Sequence, residues 1–288
     1  MRSRLLKLVT VLGLIPAIAV LGTEAQASNF NPPKRYYLAL GDSIAFGAQL
    51  GKFFQELSNG TYDPATFNTG YVDNFAAQMT SVDPGLTTVN LSCPGETSAT
   101  FMATCPFKAF GLPLHTNYSG SQEAAALAFL HAHPGQVSPI TIDIGLNDAA
   151  LPCAGPTFVV DVACVHTTMS AALQSVAQNL PKILVDLQQA SPSSEIIVMT
   201  YYNPFYVQDT STDSLIAALN AEIVSVANTG SVRVADAFTP FNRTGNETTT
   251  LCTLTLMCPG LDIHPSDAGY IVIGEQFWSA SGYSRLTD

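Results

Sequence analysis

The sequence predicts an α/β fold of three layers, with a flavodoxin-like parallel sheet of about five strands between two layers of helices. Two observations carry this prediction. Short apolar runs alternate with amphipathic stretches along most of the chain, the pattern of β–α–β units whose sheet is covered on both faces. Three of those runs end in small polar clusters, at 41–43, 92–97 and 145–148. Sheets of this type bind their ligands beyond the carboxyl ends of the strands.

The elements follow in order. Tyr36-Tyr37-Leu38-Ala39-Leu40 reads as a buried strand that stops at Gly41-Asp42-Ser43, and residues 44–49 begin a helix. Residues 71–82 form a helix, and 86–91 a second strand that runs into Ser92-Cys93-Pro94-Gly95. Ser121 and Glu123 open an Ala-rich helix reaching about His131. A third strand, 139–144, ends at Gly145-Leu146-Asn147-Asp148. Residues 168–190 make a long amphipathic helix that Pro181 should kink or break. Strand 195–201, helix 212–227 and strand 232–237 lead through a Thr-rich stretch to a last helix at 266–280. Segments 104–120, 149–166 and 238–262 read as long loops. No repeat or Gly/Ser/Pro-rich linker divides the chain, so residues 28–288 are expected to form one domain.

Residues 1–27 read as an export signal. Arg2, Arg4 and Lys7 precede an apolar run from Leu8 to Leu21, and Ala25-Gln26-Ala27 gives the small-x-small pattern of a cleavage site after Ala27. Gly13 and Pro16 interrupt the run, which is short for a stable membrane anchor. The mature chain would keep 8 basic against 21 acidic residues, a formal charge of −13. Such an acidic chain is repelled by phosphate backbones and anionic membranes, which argues against nucleic acid as a partner. Charged residues make up only 11% of the chain against roughly 25% in ordinary domains, so neutral hydroxyl and amide groups must supply the surface polarity. The expected product is secreted, soluble and monomeric.

The six cysteines fall as near neighbours, Cys93 and Cys105, Cys153 and Cys164, Cys252 and Cys258. Six cysteines allow 15 connectivities, of which sequential pairing is the economical one in an oxidising compartment. There is no Cys-x-x-Cys, and only His166 lies close to a cysteine, so no metal is expected.

The strand ends carry residue types suited to nucleophilic catalysis. Ser43 sits between a strand and a helix, with its N–H at the helix's positive end. A serine hydroxyl needs a base, usually histidine. His115, His131, His133 and His166 lie in polar, helical or cysteine-bordered stretches and read as solvated residues. His264 differs: it lies between Asp262 and Pro265 just before the last helix, where a loop can return to the same rim. Gly95 and Asn147 could donate a backbone N–H and a side-chain amide to an oxyanion. Phe46, Phe53, Phe54, Phe101, Met102, Phe107, Phe110 and Leu112 crowd the segments after the first two clusters and could line an acyl groove.

In this order, Gly41-Asp42-Ser43, Gly95, Gly145-x-Asn147-Asp148 and Asp262-x-His264-Pro265 resemble the blocks of the SGNH hydrolases, also called GDSL lipases and esterases. The extended wordings Gly-Asp-Ser-Ile-Ala-Phe-Gly and His-Pro-Ser-Asp-Ala-Gly-Tyr look like secreted bacterial members. No Gly-x-Ser-x-Gly elbow occurs, against the α/β-hydrolase alternative. The resemblance implies a cofactor-independent hydrolase of carboxyl esters, with a small-molecule or lipid ester as substrate. Ser43 would be nucleophile and His264 base. The Ser43 N–H, the Gly95 N–H and the Asn147 amide would form the oxyanion hole. Asp42 and Asp148 would be structural. The family usually places its acidic residue three positions before the histidine, where this chain has Leu261. Asp262 is therefore expected to orient His264 from two positions away, or a backbone carbonyl to do so instead. A polysaccharide acetylesterase, a phospholipase and a non-catalytic exported binding protein are the alternatives.

Overall fold

The structure, a computed structural model, describes residues 30–230 and 232–287; the expected signal, residues 1–27, lies outside them. Its elements are β1 (Tyr36–Gly41), α1 (Ser43–Phe46), α2 (Leu50–Asn59), α3 (Tyr71–Met79), β2 (Thr87–Asn90), α4 (Ser98–Phe101), α5 (Gln122–Ala132), β3 (Val137–Asp143), α6 (Leu146–Ala150), α7 (Val162–Ala190), β4 (Ile196–Thr200), α8 (Asp213–Gly230), β5 (Arg233–Asp236), α9 (Phe238–Asn242), α10 (Glu247–Leu254), β6 (Thr255–Leu256), α11 (Met257–Gly260), β7 (Asp262–Pro265) and α12 (Asp267–Ser281).

The apolar runs became inner strands because both of their faces are covered. Residues 37–40 of β1 and all of β3 and β4 are buried, as expected of parallel strands between helical layers. The five strands pair in parallel in the order β2-β1-β3-β4-β5. Because β–α–β crossovers are right-handed, stepping from β1 to β2 puts α3 on one face. Stepping the other way, through β3, β4 and β5, puts α5, α7 and α8 on the opposite face. The packing agrees: α7 lies against α5 and α8, while α12 returns to pack on α3. Strand order reverses between β1 and β3, which places a crevice at their carboxyl ends.

Several boundaries differ from the sequence reading for identifiable reasons. Helix α7 starts at Val162, earlier than 168, because Asp161 caps it by accepting the Ala163 N–H at 2.9 Å. It also runs through Pro181 to Ala190, its apolar stripe from Val165 to Leu187 staying buried on both sides of the proline. Segment 149–166 therefore holds the end of α6 and the start of α7, and 238–262 holds three short helices. The helix expected over 44–49 stops at Phe46, because Gly47 turns left-handed at φ 78°, and α2 begins separately. Pro139, which has no N–H to give, falls where β3 carries one residue more than β1 between paired positions. The cysteines pair sequentially: Cys93–Cys105, Cys153–Cys164 and Cys252–Cys258.

One close approach fixes the end of β1. Gly41 has φ +133°, and a β-carbon there would overlap both the carboxylate and the carbonyl oxygen of Asp143. Gly41→Ala should therefore cost about 3 kcal/mol or more, from overpacking and backbone strain together. Denaturant unfolding measures this, and an unchanged midpoint would contradict it.

Candidate active site

Four segments meet at the β1/β3 crevice. The first is the turn after β1. Asp42 caps α1, its Oδ1 accepting the Ile44 N–H at 2.8 Å and its Oδ2 the Tyr201 hydroxyl at 2.9 Å. Beneath it, Asp143 accepts the Tyr71 hydroxyl at 2.8 Å and the Ala45 N–H at 3.2 Å. Burial, then the charge of Asp42, pushes the Asp143 carboxyl well above the usual carboxylate range, and burial raises Asp42 as well. Two buried acids thus hold the turn, and Ser43, the first residue of α1, faces the crevice.

The second segment follows β2. Cys93 donates its N–H to the Gly41 carbonyl at 3.0 Å, and its disulfide ties the loop to Cys105. Gly95 has φ +78°, a conformation that favours glycine. The third segment follows β3. Asn147, buried on α6, donates one amide hydrogen from Nδ2 to the Glu96 carbonyl at 3.1 Å; the other has no partner among the described residues. Asp148 accepts the Ser98 N–H at 2.8 Å and its hydroxyl at 2.6 Å, which locks the 92–98 loop to α6. Among the described residues, the N–H groups of Ser43 and Gly95 make no hydrogen bond.

The fourth segment is β7, which pairs with β6 in an antiparallel ribbon. Asp262 Oδ1 accepts His264 Nδ1–H at 2.6 Å and the His264 backbone N–H at 3.1 Å, while Oδ2 accepts the Leu50 N–H at 2.8 Å. The Tyr202 hydroxyl donates to the Ile263 carbonyl at 2.6 Å, and the Gln49 amide to that of Pro265 at 3.0 Å. Leu261 takes a left-handed turn, φ 53°, just before the pair. An aspartate two positions ahead therefore reaches the imidazole directly. Burial pushes the His264 pKa down, but the Asp262 charge and hydrogen bond outweigh it, and the net value lies above the ordinary 6.5. For Asp262, burial pushes up and His264 more than reverses it, leaving the carboxyl below 3.8. His264 Nε2 is buried and has no hydrogen-bond partner among the described residues.

Ser43, Gly95, Asn147 and His264 all line one cavity of about 290 Å³. The rest of its wall is almost entirely carbon. Phe46, Phe53, Phe107 and Phe110 contribute as the sequence suggested, and Phe67 and Phe158 join them. Phe54 instead stands on the rim, its ring 6.3 Å from that of Phe158. Phe101 is buried in the main core, Met102 packs against that core, and Leu112 packs against the smaller aromatic cluster.

The other histidines lie elsewhere. His131 and His166 are exposed, the latter paired with Asp209 at 2.9 Å. His115 and His133 are half-buried rather than solvated, His115 bonding the Phe46 carbonyl at 2.9 Å and His133 that of Phe129. Among the described residues, the one close cluster of possible metal-ligating atoms is Cys93, Glu96 and Cys105. Both of its sulfurs belong to a disulfide, so it cannot serve as a thiolate site. Phe158, Tyr201, Tyr202 and Asp143 escaped the sequence reading because each reaches the crevice through a tertiary contact that no local pattern marks.

A family profile described as GDSL-like lipase/acylhydrolase matches residues 39–272. No curated protein matches the chain. Among solved structures, the acetylxylan esterase Axe2 from Geobacillus stearothermophilus superposes with a TM-score of 0.54 at 19% identity, covering 88% of this chain and 96% of that one. The extracellular lipase from Streptomyces rimosus gives 0.54 at 17%, covering 85% and 99%. A lipase from a goat rumen metagenome gives 0.53 at 19%, covering 87% and 99%. At such identities the likeness is one of fold.

Proposed function

The chain belongs to the GDSL-like lipase/acylhydrolase family, and on that premise we propose that it is a secreted serine hydrolase of carboxyl esters that prefers acyl chains longer than acetyl. The observation that carries this reading is the 2.6 Å Asp262–His264 pair, whose far nitrogen has no partner among the described residues and lies beside an apolar cavity shared with Ser43, Gly95 and Asn147.

The chemistry runs in two halves. His264 Nε2 takes the Ser43 proton as Oγ attacks the ester carbonyl, and Asp262 stabilises the resulting imidazolium and holds its Nδ1–H tautomer. The carbonyl oxygen becomes an oxyanion facing the Ser43 N–H, the Gly95 N–H and the second Asn147 amide hydrogen. Collapse breaks the ester C–O bond. The alkoxide leaves with the proton from His264, and the acyl group stays on Ser43. Water, deprotonated by the same nitrogen, then releases the acid and restores the serine. These steps use only groups of this chain, the ester and water.

The acyl preference rests on the cavity wall. Phe46, Phe53, Phe67, Phe107 and Phe158 offer carbon surface and few groups that could bind sugar hydroxyls, which disfavours a polysaccharide acetylesterase. Across p-nitrophenyl esters, kcat/KM should rise by about fourfold per methylene while the cavity fills, from about 0.8 kcal/mol per buried CH₂. Phe158→Ala should flatten that slope. An optimum at acetate would overturn the acyl preference. For export, support comes from the three disulfides.

A further inference from the structure

Gln122 is the first residue of α5, 79 positions after Ser43 in sequence and part of none of the family's blocks. It is wholly buried. Its side chain is not needed to start its own helix, because Ser121 Oγ already accepts the Ala124 N–H at 3.0 Å. Instead its amide binds both backbone polar groups of one distant residue. Oε1 accepts the Gly41 N–H at 2.7 Å, and Nε2 donates to the Gly41 carbonyl at 2.9 Å. The same Nε2 also donates to Glu96 Oε2 at 3.0 Å.

Glu96, equally buried, extends the connection. It follows Gly95 directly, its N–H donates to the Cys93 carbonyl at 3.1 Å, and its own carbonyl accepts Asn147 Nδ2. One amide therefore joins the strand end that presents Ser43 to the loop that presents Gly95, and through Glu96 to the side chain of Asn147. Those are the three oxyanion donors. Their use depends on spacing, since each must stand about 2.7–3.1 Å from the point where charge develops.

We propose that Gln122, through Glu96, is a positioning residue that, beside the Cys93–Gly41 and Ser98–Asp148 bonds, holds the mutual spacing of the Ser43, Gly95 and Asn147 donors. This rests on the ester-hydrolase reading above. Gln122→Ala should lower kcat by about 10²-fold, the cost of roughly 1 Å of misplacement at a reacting centre. KM for the same ester should change little, and inhibition by an alkylboronic acid, whose serine adduct is tetrahedral, should weaken in step with kcat. Glu96→Leu cuts the connection at its other end and should behave alike. Glu96→Gln keeps an acceptor for the Gln122 amide and should recover about tenfold of what Glu96→Leu loses, the worth of one hydrogen bond.

Hydrogen–deuterium exchange gives a readout independent of turnover. Peptides covering 41–47 and 93–98 should exchange faster in Gln122→Ala than in the native chain, with β4 and β5 unchanged. A variant that melts earlier but keeps native kcat and boronate affinity below its melting temperature would overturn the positioning role. If Gln122→Ala does not fold, the two Glu96 variants decide the matter by the same measurements. A native chain with no Ser43-dependent hydrolysis would sink the functional reading instead, and unchanged exchange in the variant would sink this one.

Discussion

Replacing Ser43 with alanine should abolish ester hydrolysis and leave the fold intact. The expected loss is about 10⁶-fold in kcat, the size found when a nucleophile is removed from a triad that acts as a unit. Among the described residues the hydroxyl makes no hydrogen bond; Asp42, Tyr201 and Asp143 hold the turn. Thermal unfolding should therefore be unchanged within a degree or two, since an uncoupled surface-type substitution stays within about 0.5 kcal/mol. Measuring p-nitrophenyl ester hydrolysis and unfolding on the same preparation separates the two effects. Residual activity within tenfold of native would place the nucleophile elsewhere.

Asp262→Asn should be the next most damaging change among the conservative ones. The carboxylate accepts on both sides, from two N–H groups of His264 through Oδ1 and from Leu50 through Oδ2. An asparagine amide can accept on one side only. Turned one way it points N–H at the Leu50 N–H; turned the other, it faces Nδ1 and favours the wrong imidazole tautomer. A kcat loss of about 10⁴-fold is expected, as for the equivalent change in a serine–histidine–aspartate triad. A loss of only a few-fold would mean that a dyad suffices.

The same variant carries a pH signature. His264 must be neutral to act as base, and Asp262 raises its pKa above 6.5, so the acid limb of kcat/KM should lie above pH 6.5. Removing the carboxylate charge should move that limb to lower pH. The pair's contribution to stability follows the same linkage. It is lost as pH rises through the raised value of His264, and also as pH falls through the lowered value of Asp262.

Much of this architecture was legible in the sequence, and the reason differs by level. The strands were readable because 37–40 and 139–144 bury both faces and so lack polar interruptions. The three clusters at strand ends were readable because Gly41, Gly95 and Gly145 are demanded by positive φ angles, and the one before α12 because Asp262, His264 and Pro265 fall together just ahead of a helix. Helix ends were less so: Asp161 starts α7 with a single capping bond, and its packed stripe overrides the break that Pro181 suggested. What joins the clusters was not legible at all. Gln122, Tyr201 and Tyr202 touch the site across separations that local pattern cannot register, and Phe158 reaches the cavity on a loop closed by Cys153–Cys164. Leu261 marked a departure in spacing, and its left-handed turn sits where the chain brings Asp262 onto His264.

Covalent trapping tests the central claim most directly. An alkyl fluorophosphonate reacts with a serine only where a base and an oxyanion hole activate it. Intact-mass spectrometry after complete inactivation should show one phosphonyl group per chain, and peptide mapping should place it on Ser43. His264→Ala should block the labelling without unfolding the protein. A fully inactivated enzyme labelled at any other residue, or full activity with Ser43 labelled, would contradict the account.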